Sequence, residues 1–360
     1  MTGTITASVR VTSVEMVVSP EPKVPVGRNR RVSSRSVIVV TIIAFLAIQG
    51  GSFVAINAEA VPIRDPIFAE KLALLRGHPE FFQQNADSLR VLAIGSSRTQ
   101  LAFDAGHLGI AKSTSFNFGC AGCGPIASAL YFRRLLALGM TTDVALIEIH
   151  PAMLAAQNPP FEHRWLHGYR LRHEEVERIR SYGWPLEMPQ HLRTGGWLQT
   201  LHTYRFSTLN EYAPGLLPCP FGMTLASRTD AYGFIAGIEP TAAERAVFLA
   251  GAQIEYAPAF TSYTPGGPAV EAVRDMLSLC RERGIRAVIV VSPESSEFRS
   301  WYVPQATADV DNLVRTLAAE FAVPLMDARE WLPDNEFADG HHPTVAGARR
   351  FTERLARSLP

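Results

Sequence analysis

From Val37 to Asn57 the chain runs 21 residues without a charged side chain, VIVVTIIAFLAIQGGSFVAIN. At about 1.5 Å per residue, a helix of that length spans roughly 30 Å, the hydrocarbon thickness of a bilayer. Residues 1–36 show neither helical nor strand periodicity and carry Arg10, Lys23, Arg28, Arg30, Arg31 and Arg35 against Glu15 and Glu21. They read as a disordered tail. Their positive charge places it in the cytoplasm, with everything after residue 57 outside, so that residues 37–57 form a single transmembrane helix. Ala58-Glu59-Ala60 also resembles a signal-peptidase site, with Val37–Ile48 as the apolar region before it. The sequence leaves an uncleaved anchor and a cleaved leader both open. Either one exports the remaining chain.

Beyond the apolar segment, composition mainly excludes. Lys and Arg number 34 and Asp and Glu 34, so the basic excess of a nucleic-acid binder is missing. A hydrophobic share of 47% suits a folded domain, and four cysteines are too few for a disulfide scaffold. Residues 58–87 read as a polar juxtamembrane linker with one short helix near Pro66–Arg76. Apolar runs at Ser88–Ile94, Thr114–Phe118, Asp143–Ile149, Arg286–Val291 and Val323–Met326 read as buried strands. Helical patterns at Ile126–Leu138, Val270–Arg283, Ala306–Phe321 and from Thr344 onward alternate with them. The last has Val345, Ala348, Phe351, Leu355 and Leu359 on one stripe. Short apolar strands alternating with amphipathic helices indicate a parallel α/β sheet covered on both faces. Residues 155–265 lose this rhythm and read as an insertion with helical patches at His173–Ser181 and Ala242–Phe248.

Ligands bind beyond the carboxyl ends of such strands, which directs attention to the residues that follow them. After the first strand comes Ile94-Gly95-Ser96-Ser97-Arg98-Thr99, where a glycine and small polar residues at a strand-to-helix turn can expose a hydroxyl and backbone N–H groups. A helix N-cap explains the same residues. Near the end stands Asp339-Gly340-His341-His342-Pro343, with Pro343 suited to the first turn of the last helix. Its Asp-x-x-His offset can set a carboxylate against one imidazole nitrogen while the other faces a serine. Two solvated loop histidines, or half of a metal site, remain open alternatives.

Taken together, these motifs resemble those of the SGNH (GDSL-like) hydrolases. Gly95-Ser96-Ser97 is similar to the first signature of that family and Asp339-Gly340-His341-His342 to the last. Asn117-Phe118-Gly119-Cys120-Ala121-Gly122 resembles the block between them, over residues 88–154 and 268–358. The resemblance implies a flavodoxin-like three-layer α/β/α domain over residues 88–358. It implies Ser97 as nucleophile, His342 as base, Asp339 as its orienting carboxylate, and the N–H groups of Ser97 and Gly122 as oxyanion donors. His341 receives no role, and the route needs no metal or organic cofactor. The Asn that completes the family's oxyanion hole is missing after the third strand, where Glu148-Ile149-His150-Pro151 stands and Asn158 lies several residues beyond. His150 is the substitute the sequence offers.

The anchor, the Gly-Ser-Ser form and the missing Asn resemble a membrane-anchored subgroup active in bacterial surface-polymer acylation. That implies acyl transfer or ester hydrolysis, as O-acetylation or deacetylation, on a cell-envelope polysaccharide. It also implies a multi-spanning membrane acyltransferase as partner. The competing reading is a non-catalytic envelope protein of the same shape that binds glycan or scaffolds such a transferase. Smaller signals are Cys120-x-x-Cys123, which could close a disulfide across the oxyanion loop, and Cys219 and Cys280, read as buried or incidental. His163, His167 and His173 read as solvated, and Trp165, Tyr169, Trp184, Trp197 and Tyr204 as local core or sugar-stacking platforms.

Overall fold

In this computed structural model, residues 33–84, 87–156, 162, 166, 168–217 and 229–359 are described. They form five strands, β1 (Leu89–Ile94), β2 (Ser113–Asn117), β3 (Val144–Ile149), β4 (Arg286–Val291) and β5 (Leu325–Asp327). The helices used below are α1 (Ser34–Asn57), α2 (Pro66–Leu75), α3 (Ser97–Ala102), α4 (Pro125–Ala137), α5 (His173–Ser181), α6 (Ala242–Thr261), α7 (Gly267–Arg283), α8 (Pro304–Phe321) and α9 (Val345–Ser358).

The strands make one parallel sheet in the order β2-β1-β3-β4-β5. Their alternate residues supply two cores. Leu92, Ile94, Ala145, Ile147, Ala287 and Ile289 pack with Ile126, Leu130, Val273 and Leu277 of α4 and α7. Val91, Ala93, Val144, Leu146, Val288 and Val290 pack on the other face with Phe351 and Leu355 of α9. Burial on both faces explains why the strands are continuous apolar runs rather than polar–apolar alternations. The result is a three-layer α/β/α domain with the flavodoxin-like strand order. Its direction reverses between β1 and β3, which places a crevice beyond their carboxyl ends.

The segment expected as a linker belongs to this core. Phe68, Leu72, Leu75 and Phe81 pack against α4, and Asp65 caps α2 while pairing with buried Arg134 at 2.8 Å. Polar residues between these positions mask the apolar ones in a sequence reading. Strand β5 starts at Leu325 rather than Val323, after Pro324, which has no N–H to give a ladder. The insertion's two ends meet in an antiparallel bridge between Ala155 and Pro265. Within it, α5 buries Val176 and Ile179 in the larger core, and α6 runs on to Thr261 behind a Thr241–Glu244 capping box.

Helix α1 covers 24 residues, about 36 Å at the usual rise, and is long and apolar enough to cross a membrane. Tyr204 is buried and donates to the Tyr169 carbonyl at 2.7 Å, and Trp184 packs on the larger core, so these aromatics are local structure. His173 is exposed. His163, Trp165, His167, Asn158 and Cys219 lie outside the described residues, as does the tail up to residue 32.

Candidate active site

Helix α3 begins directly at Ser97, with Ser96 as its N-cap accepting the Arg98 N–H. This turn is held from below by Glu148, the fifth residue of β3. Its carboxylate accepts the Ser96 N–H at 2.6 Å, the Thr99 hydroxyl at 2.6 Å, the Ser96 hydroxyl at 2.9 Å and the Thr99 N–H at 3.3 Å. A negative charge under a helix N-terminus is favourable in its own right. Gly95 is required by the same contact: a Cβ there would overlap the Glu148 carboxylate and the Thr99 hydroxyl. The serine expected from sequence as a cap alternative is thus Ser96, which leaves Ser97 free for chemistry.

The loop from Phe337 to Thr344 brings the second half of the site. Asp339 Oδ1 accepts the backbone N–H groups of His342 at 2.8 Å and His341 at 3.1 Å, a local turn that Asp favours. Gly340 between them sits at φ +92°, in the region open to glycine. Asp339 Oδ2 lies 2.6 Å from His342 Nδ1, and His342 Nε2 lies 2.8 Å from Ser97 Oγ. Pro343 does not open the last helix; it precedes the N-cap, which is Thr344. Burial would raise the Asp339 carboxyl, but the His342 ring and its hydrogen bonds outweigh it and hold it well below the usual carboxylate range. The carboxylate therefore stays charged and can stabilise an imidazolium on His342.

His341 is not a bystander. It is buried, its Nδ1 lies 3.3 Å from Asp339 Oδ1, and its ring packs on His342, Tyr256 and Phe298. Burial and the nearby His342 push its pKa well down, so it wedges Asp339 as a neutral ring. Asp339, His341 and His342 could also present three ligand atoms to a cation. A cation taking His342 Nδ1 would displace the bond to Asp339.

His150, the substitute the sequence offers, is not among the residues that line the cleft holding Ser97 and His342. The ring is fully buried and stacked on Tyr256, and its Nδ1 faces Arg98 Nη1 at 3.2 Å. Arg donates only, so Nδ1 is the acceptor and the ring is the neutral Nε2–H form, in line with burial and Arg98 lowering its pKa. Arg98 itself, wholly buried, pairs with Glu294 at 3.0 Å and donates to the carbonyls of Ser292 and Pro293, both at 2.9 Å. It ties the residue after Ser97 to the end of β4. Sequence reading missed this anchor; the only signal was an arginine inside an otherwise small-residue turn.

Of the two N–H groups that the family resemblance assigns to an oxyanion, one is that of Ser97 itself. Gly122, at φ +77°, lines the same cleft as Ser97, and neither N–H is engaged among the described residues. The disulfide that Cys120 and Cys123 could close is not formed. Cys120 and Cys123 are buried free thiols, with Cys120 Sγ turned to the Phe118 carbonyl at 3.7 Å, and Cys280 is buried and free as well. The cleft measures about 610 Å³. One wall comes from the insertion: Ile235–Ile238 and the α6 residues Val247, Phe248, Gly251 and Tyr256. Sequence reading gave this stretch no part in the site.

A protein-family model matches residues 262–360. No curated protein matches the chain. Among solved structures, the chain is similar to a protein described as an acylhydrolase from Bacteroides fragilis, with 10% identity and a TM-score of 0.37, covering 79% of this chain and 92% of that one. It is also similar to a carbohydrate acetylesterase from Sinorhizobium meliloti, with 10% identity and a TM-score of 0.33, covering 75% and 97%. An inhibitor-bound aryl esterase from M. smegmatis gives 13% identity and a TM-score of 0.33 over 75% and 97%.

Proposed function

We propose that the domain is a serine acyl hydrolase or O-acyltransferase. The observation that carries this reading is the continuous relay from Asp339 Oδ2 through His342 to Ser97 Oγ, at 2.6 and 2.8 Å. Ser97 attacks the acyl carbonyl as His342 takes its proton, and Asp339 stabilises the imidazolium. The N–H groups of Ser97 and Gly122 hold the oxyanion. The alcohol leaves with the proton returned by His342, and water or a sugar hydroxyl takes the acyl group from Ser97. With α1 as a single-pass anchor and its basic flank in the cytoplasm, the domain works outside that membrane. Its acceptor there is a cell-envelope glycan, and a multi-spanning acyltransferase supplies the acyl group.

The test uses the full-length protein in detergent and a fluorophosphonate probe. Labelling is expected at Ser97, absent in Ser97→Ala and reduced by orders of magnitude in His342→Ala. A folded wild type that neither labels nor turns over acyl esters overturns the enzyme and leaves a glycan-binding or scaffolding role.

One observation favours a second reading of the substrate, an ester whose acyl or alcohol part is apolar. Leu101, Met153, Ile235, Ile238, Val247 and Phe248 line the cleft, and Glu255 and the triad are its charged groups. Burying a methylene contributes about 0.8 kcal/mol, so kcat/KM for nitrophenyl esters should climb roughly fourfold per added carbon. A fall from acetate to hexanoate favours the acetyl group.

A further inference from the structure

The oxyanion hole proposed above has two backbone donors, and His150 does not line the cleft. We propose that the side-chain carboxamide of Gln100 is the third donor, a catalytic role that rests on the acyl-transfer reading above. Gln100 stands three residues after Ser97 on α3, one turn along, so the two side chains share a face of the helix, and both line the cleft.

The orientation of the amide follows from its one anchor. Gln100 Oε1 accepts the Ala121 N–H at 3.0 Å. A backbone N–H can be accepted only by the oxygen end of a carboxamide, so this bond fixes which end is which. The oxygen is turned to Ala121, the residue immediately before the oxyanion donor Gly122. The NH2 end has no acceptor among the described residues and is not sealed from the cleft. The Gln100 residue is otherwise buried, at 5% exposure, so the group is held rather than swinging in solvent. A preorganised donor without a partner, beside two others and an activated serine, is what a developing oxyanion requires. Gly119 closes the arrangement: a Cβ at Gly119 would press on the Gln100 backbone nitrogen at 2.5 Å, so the Asn117–Gly122 loop can approach α3 closely enough for the Ala121 bond.

The decisive variant is Gln100→Glu, which keeps an oxygen for the Ala121 N–H and replaces the donor with a second acceptor. In full-length protein in detergent, kcat for nitrophenyl butyrate and the fluorophosphonate labelling rate should both fall about a hundred- to thousand-fold. KM should stay within about threefold and the melting temperature near that of the wild type, a split that a purely structural role does not give. Gln100→Met, similar in size and without a donor, should show the same loss and reports if the Glu variant fails to fold. A folded Gln100→Glu within about threefold of the wild type in kcat overturns the assignment while Ser97-dependent labelling keeps the enzyme. A wild type without labelling or turnover removes both.

Discussion

Replacing Glu148 tests whether the Ser96–Thr99 turn is held by one carboxylate. In Glu148→Ala the Ser96 and Thr99 N–H groups and the Thr99 hydroxyl lose their acceptor inside a buried turn. Each buried, unsatisfied donor costs about 1–3 kcal/mol. Allowing the hydroxyl to rotate toward another partner, the two N–H groups alone give about 2–6 kcal/mol, a large share of the roughly 5–15 kcal/mol that holds a domain together. Glu148→Gln keeps a carbonyl oxygen for the Ser96 N–H, and its NH2 can donate to the Ser96 hydroxyl. That variant loses the charge and should cost only about 1–2 kcal/mol. Denaturant midpoints followed by tryptophan fluorescence should therefore rank wild type, Gln, Ala, with the larger gap before Ala. Fluorophosphonate labelling, measured where all three are folded, should follow the same order, within about tenfold for Gln and more than about a hundredfold down for Ala. An Ala variant as stable and as reactive as the wild type would refute the reasoning.

Four further outcomes follow from the same structure. Asp339→Asn should leave the fold intact and cut turnover by about 10³–10⁴, while His341→Ala, which opens a cavity beside Asp339, should lower stability by roughly 2–4 kcal/mol, read from denaturant midpoints. Burial lifts the Glu162 carboxyl from 4.5 to about 8 despite the Ala127 and Ile126 N–H groups. Between about pH 5 and 8 the folded state then keeps a proton that the unfolded chain has already released, so stability falls as pH rises through that window, by up to about 4 kcal/mol. Glu162→Gln should flatten the slope, and equal slopes in the two proteins would count against the buried, protonated carboxyl. For topology, a reporter fused after residue 60 should be active only when exported, and the full-length protein should resist carbonate extraction; a mature product beginning near Val61 would replace the anchor with a leader.

What the sequence determined by itself is whatever depends on neighbours along the chain. The apolar helix is set by the uncharged run from Val37 to Asn57. Doubly buried strands are legible because both faces of each run must be apolar. The Asp339–His342 pair is legible because a three-residue offset around Gly340 closes on its own, through the Asp339 carboxylate and two following N–H groups. Linking that pair to Ser97 drew on family resemblance, since 245 residues separate the two sides of the 2.8 Å contact. Only tertiary structure decided the rest. His150 follows β3 as a family oxyanion residue would, yet Arg98, Tyr256 and Phe298 close around it from three other parts of the chain. Gln100 looks like an ordinary helix residue until the Ala121 N–H claims its oxygen. Helix α6 has no signature of a site wall, because which of its apolar residues line the cleft is set by docking rather than by period. Local spacing fixes backbone turns and faces; polarity in a buried site is assigned by whichever distant donors and acceptors the fold brings within about 3 Å.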